Sequence, residues 1–347
     1  MSRNGEPARS SIRRLLLIFG VALGTVALVV GALIYLPSPA PRPPSPTESP
    51  SPTDDSEEQS MEVEASTSLT VPEIVRMEPR TFTAYAGTMY LLKFEISTVK
   101  PEGSPGTAMY FGVNLACGGE AGGTTRSIGG TQNLITDEAV TLSNQFLLSV
   151  DSTELQSCRV VLSSPNEDAA AAGTTVEVDV RWSMTAVSDG ARELDPEKRL
   201  PLVVDPGESR IVFREAVPGP AGETLSLIGT LHLTTCTMVN GSREGGEVLC
   251  DEESIDSGGS SFDVEARARL LGLDGVACDG TDTSSEDAHV GRRVHHQMLP
   301  LGQRVDIPES TCGDSVELLV VVENQGPAPL VVHGVSSSYI AVPTSRE

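Results

Sequence analysis

Thr175-Val-Glu-Val-Asp-Val-Arg-Trp182 alternates without a slip, with Val176, Val178, Val180 and Trp182 on one side and Glu177, Asp179 and Arg181 on the other. An extended chain turns successive side chains to opposite faces, so this stretch predicts a strand with one face in a core and the other in water. Trp182 lies on the apolar side and is expected inside. Met89-Tyr-Leu-Leu-Lys-Phe-Glu-Ile96 and Ala108-Met-Tyr-Phe-Gly-Val-Asn-Leu115 read the same way, and clusters of Gly, Pro, Asn and Asp separate such runs. Ala169 to Ala172 is helix-prone but too short to stand alone. The expected class is all-β, built as antiparallel β-sandwiches.

The strand signals recur in the same order. Glu78-Pro-Arg80, Ala86-Gly87 and the run from Met89 are echoed by Glu208-Ser-Arg210, Ala221-Gly222 and the run around Leu225. Ala116-Cys117-Gly118-Gly119 matches Ala277-Cys278-Asp279-Gly280, Ser157-Cys158 matches Thr311-Cys312, and Val176–Val187 matches Leu330–Val342. Ordered self-similarity points to duplication. The sequence therefore predicts two tandem domains, 69–190 and 200–345, joined by a linker over 191–199. Gly222 lies 135 residues after Gly87 but Cys278 lies 161 after Cys117, so the second copy holds 26 extra residues. In strand pattern these domains resemble the broad immunoglobulin-like class. The Cys-Trp-Cys order of true immunoglobulin domains is missing, because Trp182 follows Cys158.

The six cysteines read as three disulfides, and sequence alone leaves about fifteen pairings open. The repeat favours Cys117 with Cys158 and Cys278 with Cys312. Cys236 and Cys250 fall in the inserted stretch and would close it around the turn dipeptide Asn240-Gly241. Each bridge should stabilise its domain by roughly 2–4 kcal/mol. Zinc needs close-spaced cysteine or histidine pairs, and Cys278, His289, His295, His296 and Cys312 are too scattered.

Leu15 to Leu36 holds no charge, long enough for a helix to cross a bilayer. Arg3, Arg9, Arg13 and Arg14 precede it, so residues 1–14 are expected in the cytoplasm and the rest outside the membrane, at the cell surface. A cleaved signal peptide would have a shorter apolar core and a better small-residue site. Gly20 and Gly24 make a GxxxG spacing that suits a helix-dimer face. Residues 37–68, rich in Pro, Ser and acids, read as a disordered stalk.

With 24 basic and 48 acidic side chains the net charge is −24, which argues against nucleic-acid binding. Arginine in excess of lysine, with abundant Gly, Pro and Ala, is the composition of a GC-rich bacterial genome. No nucleophile elbow, P-loop or dinucleotide fingerprint is present in the sequence. His295 and His296, beside Arg292 and Arg293, read first as a basic strand edge. Asp251, Glu252, Glu253 and Asp256, or Asp279, Asp282, Glu286 and Asp287, offer oxygens for calcium but lack the EF-hand spacing, so no metal or cofactor is expected. The expectation is a non-enzymatic binding or scaffolding module at the cell surface, with another envelope or surface protein as partner and the inserted stretch as a contact surface. The alternatives are an extracytoplasmic metal-dependent hydrolase using His295/His296 and nearby carboxylates, and a structural envelope spacer.

Overall fold

Alternation of the kind seen in 175–182 runs through nearly the whole described chain. A computed structural model describes residues 60–106, 108–119, 125–135, 138–196, 200–219, 223–235, 259–272, 275–291, 296–307 and 315–344. The cytoplasmic segment 1–14, the membrane run 15–36 with Gly20 and Gly24, and stalk residues up to 59 lie outside them. Among the described residues no helix is long and apolar enough to cross a membrane.

The N-terminal half is made of β1 (Ser60–Thr70), β2 (Ile74–Arg76), β3 (Arg80–Ala84), β4 (Met89–Thr98), β5 (Met109–Gly119), β6 (Thr125–Leu134), β7 (Val140–Ser149), β8 (Glu154–Ser163) and β9 (Thr175–Val187). The helix-prone alanines form the last turn of the short α1, Glu167–Ala171. One sheet runs β1-β9-β4-β7, and the other runs β2-β8-β5-β6 with β3 also on β8. All their pairings are antiparallel. Tyr90, Leu92, Phe94, Phe111, Leu115, Phe146, Val178 and Trp182 fill the space between the sheets. Trp182, 4% exposed, stands opposite Val63 and Phe94.

The C-terminal half repeats this order with β10 (Arg192–Glu193), β11 (Leu202–Val204), β12 (Ser209–Pro218), β13 (Thr224–Thr235), β14 (Gly259–Leu271), β15 (Ala277–Gly291), β16 (His296–Asp306), β17 (Ser315–Asn324) and β18 (Leu330–Thr344). Its sheets run β10-β18-β13-β16, with β11 also on β18, and β12-β17-β14-β15. In both halves the chain winds from sheet to sheet so that first and last strands lie side by side. That is the winding of a jelly roll rather than of an immunoglobulin domain, whose sheets group the strands differently.

Two expected boundaries move. β1 begins at Ser60, inside the stretch read as stalk, because Met61, Val63 and Ala65 alternate with Glu62, Glu64 and Ser66 and pair along β9. The cysteine landmark slips by a strand. Cys117 sits on β5, which corresponds in sheet order to β14, whereas Cys278 sits on β15, the counterpart of β6. The longer connection of the C-terminal half spans 236–258, between β13 and β14, against 99–108 between β4 and β5.

The halves belong to one compact unit, Ser56–Glu347. The outer face of β13, β16 and β18 receives the β6–β7 side of the N-terminal half. Met298 of β16 reaches into the N-terminal core, and Leu147, Ala191, Ile340 and Val342 form a small apolar cluster at the junction.

Candidate functional site

Three histidines from three neighbouring strands meet on that junction face. His232 lies on β13, His296 on β16 and His333 on β18, and pairing sets His333 beside His232 and His296 beside Thr234. The His232 ring stacks on both others, with centroids 5.3 Å from His296 and 4.7 Å from His333. His232 Nε2 and His296 Nδ1 share a hydrogen bond of 3.0 Å. Thr234 Oγ1 and His333 Nε2 lie 2.8 Å apart. The N-terminal half supplies the wall: Tyr110 of β5 sits edge-on to His296, and Asn133 Oδ1 of β6 accepts from the His296 backbone N–H at 2.7 Å.

The pairing of β13 with β18 breaks between Thr230 and His232, so 334–337 of β18 bulge out of the ladder. The bulge is tied down on both sides. Ser337 Oγ accepts from the His232 N–H at 2.9 Å, and Ser336 O accepts from Asn144 Nδ2 of β7 at 2.8 Å. Asn144 also donates to Gly129 O at 2.8 Å, while its own oxygen accepts from Ser338 Oγ at 2.7 Å. Gln145 Nε2 donates to Ser338 Oγ at 2.8 Å, Thr230 Oγ1 to Ser143 O at 3.0 Å, and the Met298 N–H to Gln132 Oε1 at 2.8 Å. Paired buried groups such as these fix one arrangement, because a slip would leave several of them unpaired.

Burial, then repulsion from His333 and His296, pushes the His232 imidazole down to about 2, so it is neutral at physiological pH. Its Nδ1 has no hydrogen-bond partner among the described residues. The cluster is thus an aromatic stack around a neutral His232, and among the described residues no group of His, Cys, Asp and Glu is placed to hold a metal ion.

A second feature lies on the outer face of β1, β9, β4 and β7, the sheet equivalent to the one that carries the histidines. It is an open groove of about 500 Å³ lined by Glu64, Ser66, Glu95, Ser97, Thr141, Asp179 and Arg181. Arg181 Nε pairs with Glu64 Oε1 at 2.9 Å, and Ser66 Oγ donates to Asp179 Oδ1 at 2.7 Å.

Of the residues singled out from sequence, Cys117 and Cys158 are bonded across β5 and β8, with Cα atoms 4.0 Å apart. Cys278 is also disulfide-bonded, to a residue outside the described ones. Cys236, Cys250, Cys312 and His295 lie outside the described residues. His296 does lie on an edge strand, β16, but it faces the junction instead of water and packs against His232 and Tyr110. Sequence reading passed over His232 and His333 entirely. The one signal pointing to them was a histidine embedded in each of two apolar strands, Leu231-His-Leu233 and Val332-His-Gly334.

No protein-family model matches this chain, and no curated protein sequence does either. Among solved structures it is similar to a peptide-N(4)-(N-acetyl-β-D-glucosaminyl) asparagine amidase at 8% identity and TM-score 0.34, over 83% of this chain and 97% of that one. The tandem CBM22 modules of Paenibacillus barcinonensis Xyn10C match at 10% identity and TM-score 0.24, over 77% and 83%. A structure of infectious bursal disease virus, Gt strain, matches at 11% identity and TM-score 0.29, over 84% and 74%. At TM-scores this low the likeness carries no argument about ancestry or activity.

Proposed function

We propose that this protein is a non-enzymatic binding or scaffolding module, two copies of one sandwich in tandem, anchored by residues 15–36 and carried outside the membrane on a short stalk. The observation behind it is an asymmetry between equivalent faces. The outer face of β13, β16 and β18 is already occupied by the other half and is evidently a surface on which a protein docks. Among the described residues its counterpart on β1, β9, β4 and β7 meets the C-terminal half only along β7 and at the Met89–Leu91 end, and the remainder is open and forms the polar groove. The Cys117–Cys158 bridge suits an oxidising compartment. A rigid pair of sandwiches presenting an open face fits recognition of another envelope or surface protein, with acidic Glu64, Glu95 and Asp179 selecting a basic partner surface.

The test is capture by the full chain in detergent from solubilised envelope. A protein held by the wild type and weakened at least tenfold by Glu95→Arg, an exposed change, is the expected result. Equal retention by the variant, or metal-stimulated turnover of ester or peptide substrates by the chain, would overturn the reading.

A further inference from the structure

Three of the chain's five histidines are gathered at one point, and that point is where the halves meet. We propose that the His232–His296–His333 stack is an acid-sensitive latch: mild acidification releases the β6–β7 side of the N-terminal half from the outer face of β13, β16 and β18. This inference does not rest on what the groove binds.

The argument is one of proton accounting. An imidazole in water takes up a proton near pH 6.5. In the docked form His232 cannot, since a charge there would sit out of water against two further imidazoles, and its proton affinity is held far below the ordinary value. Parting the halves returns the ring to water and lets the proton bind. Acid therefore favours the parted form, by at most about tenfold for each pH unit below 6.5, or roughly thirtyfold at pH 5 as the ceiling from this side chain alone, because His296 and His333 stay beside it on the same sheet.

The groups around His232 do not counter this. His296 faces it from β16 and His333 from β18, and these are the only charges that bear on it among the described residues. The N-terminal half reaches the stack through His296, which meets Tyr110 of β5, a phenol, and Asn133 of β6, an uncharged amide. The junction's ion pair, Arg126 of β6 with Glu193 of β10, works in the opposite sense. Burial raises the Glu193 carboxyl above its usual value despite Arg126, so the docked form welcomes a proton there and that contact tightens as pH falls. Any acid-induced release is thus traceable to the histidines.

Hydrogen exchange on the full chain in detergent tests the latch, with labelling times scaled for the intrinsic pH dependence. The amides of His296 and Met298 donate across the junction and report on docking, while those of β9 opposite β1 serve as reference. Between pH 7.5 and 5.0 the 296–298 amides are expected to lose protection severalfold, up to roughly thirtyfold, with β9 unchanged. In His232→Phe, which keeps a flat ring in the stack, the loss should vanish. Protection that ignores pH, that falls together with β9, or that falls equally in the variant would overturn the proposal. Should His232→Phe not fold, nitrogen-15 shifts of the wild-type histidines decide: protonation of His232 must coincide with loss of 296–298 protection, and protonation with the junction intact refutes the latch.

Discussion

Glu317 shows what a single outward-facing carboxylate does on a sheet. It sits on β17 between Arg214 of β12 and Arg269 of β14, with its side chain only 10% exposed. Arg214 Nε donates to Oε1 at 2.9 Å, and Arg269 holds the other oxygen. Burial pushes the carboxyl up, but the hydrogen bonds from Arg269 and Arg214 outweigh it and hold the group below the usual glutamate range. A carboxyl bound this way stabilises the fold above its unfolded-state value and loses that contribution as pH falls through the folded one. Because both arginines are partly solvated, Glu317→Gln should cost no more than about 1–2 kcal/mol at pH 7, and the cost should shrink as acid protonates the folded-state carboxyl, as read from urea midpoints at neutral and acid pH. Residue roles were unevenly legible. Trp182 was placed in the core by alternation alone, whereas His232 carries no local mark of being stacked, since its partners lie 64 and 101 residues away in sequence.

Strands were legible wherever alternation survived in the presence of apolar residues. β9 and β4 were read almost to their ends, but β1 was given to the stalk because Ser, Thr and Glu dominate its composition and obscured the alternating Met61, Val63 and Ala65. The repeat set β4 against β13, which hold the same place in their sheets, but it misaligned at the cysteines, since a short Ala-Cys match cannot tell β5 from β6. Nothing in Gly334-Val-Ser-Ser337 announces a bulge, because a bulge is a relation between two strands. Removing 335–337 would restore an unbroken β13–β18 ladder, with Gly334 opposite Leu231, while withdrawing Ser336 and Ser337 from Asn144 and His232. The expected outcome is two intact sandwiches no longer docked, seen as new protease cleavage between β9 and β10 with both cores still resistant.

At the scale of the molecule, each half closes its own core and the junction adds a third, mixed apolar and polar contact. Cys117 and Cys158 join strands already paired, so their bridge chiefly restricts the unfolded chain over a separation of 41 residues. Replacing both by alanine should lower stability by roughly 2–4 kcal/mol, and reductant should lower the wild-type melting temperature but not that of the variant's N-terminal half, as followed by Trp182 fluorescence. Jelly-roll winding pairs the ends of each half last in sequence, a non-local topology that folds on the millisecond-to-second scale.

The side-by-side placement of first and last strands also has a mechanical meaning. Ser60 stands opposite Thr185, and the chain leaves β9 at Val187 for the other half. Tension arriving through the residues before Ser60 and carried off through the C-terminal half therefore enters and exits at one corner of the N-terminal sandwich. The load bypasses that core, and where it does act on β1 it peels cross-strand bonds one after another instead of shearing eleven residues of ladder at once. Such a module yields at its tether before its body.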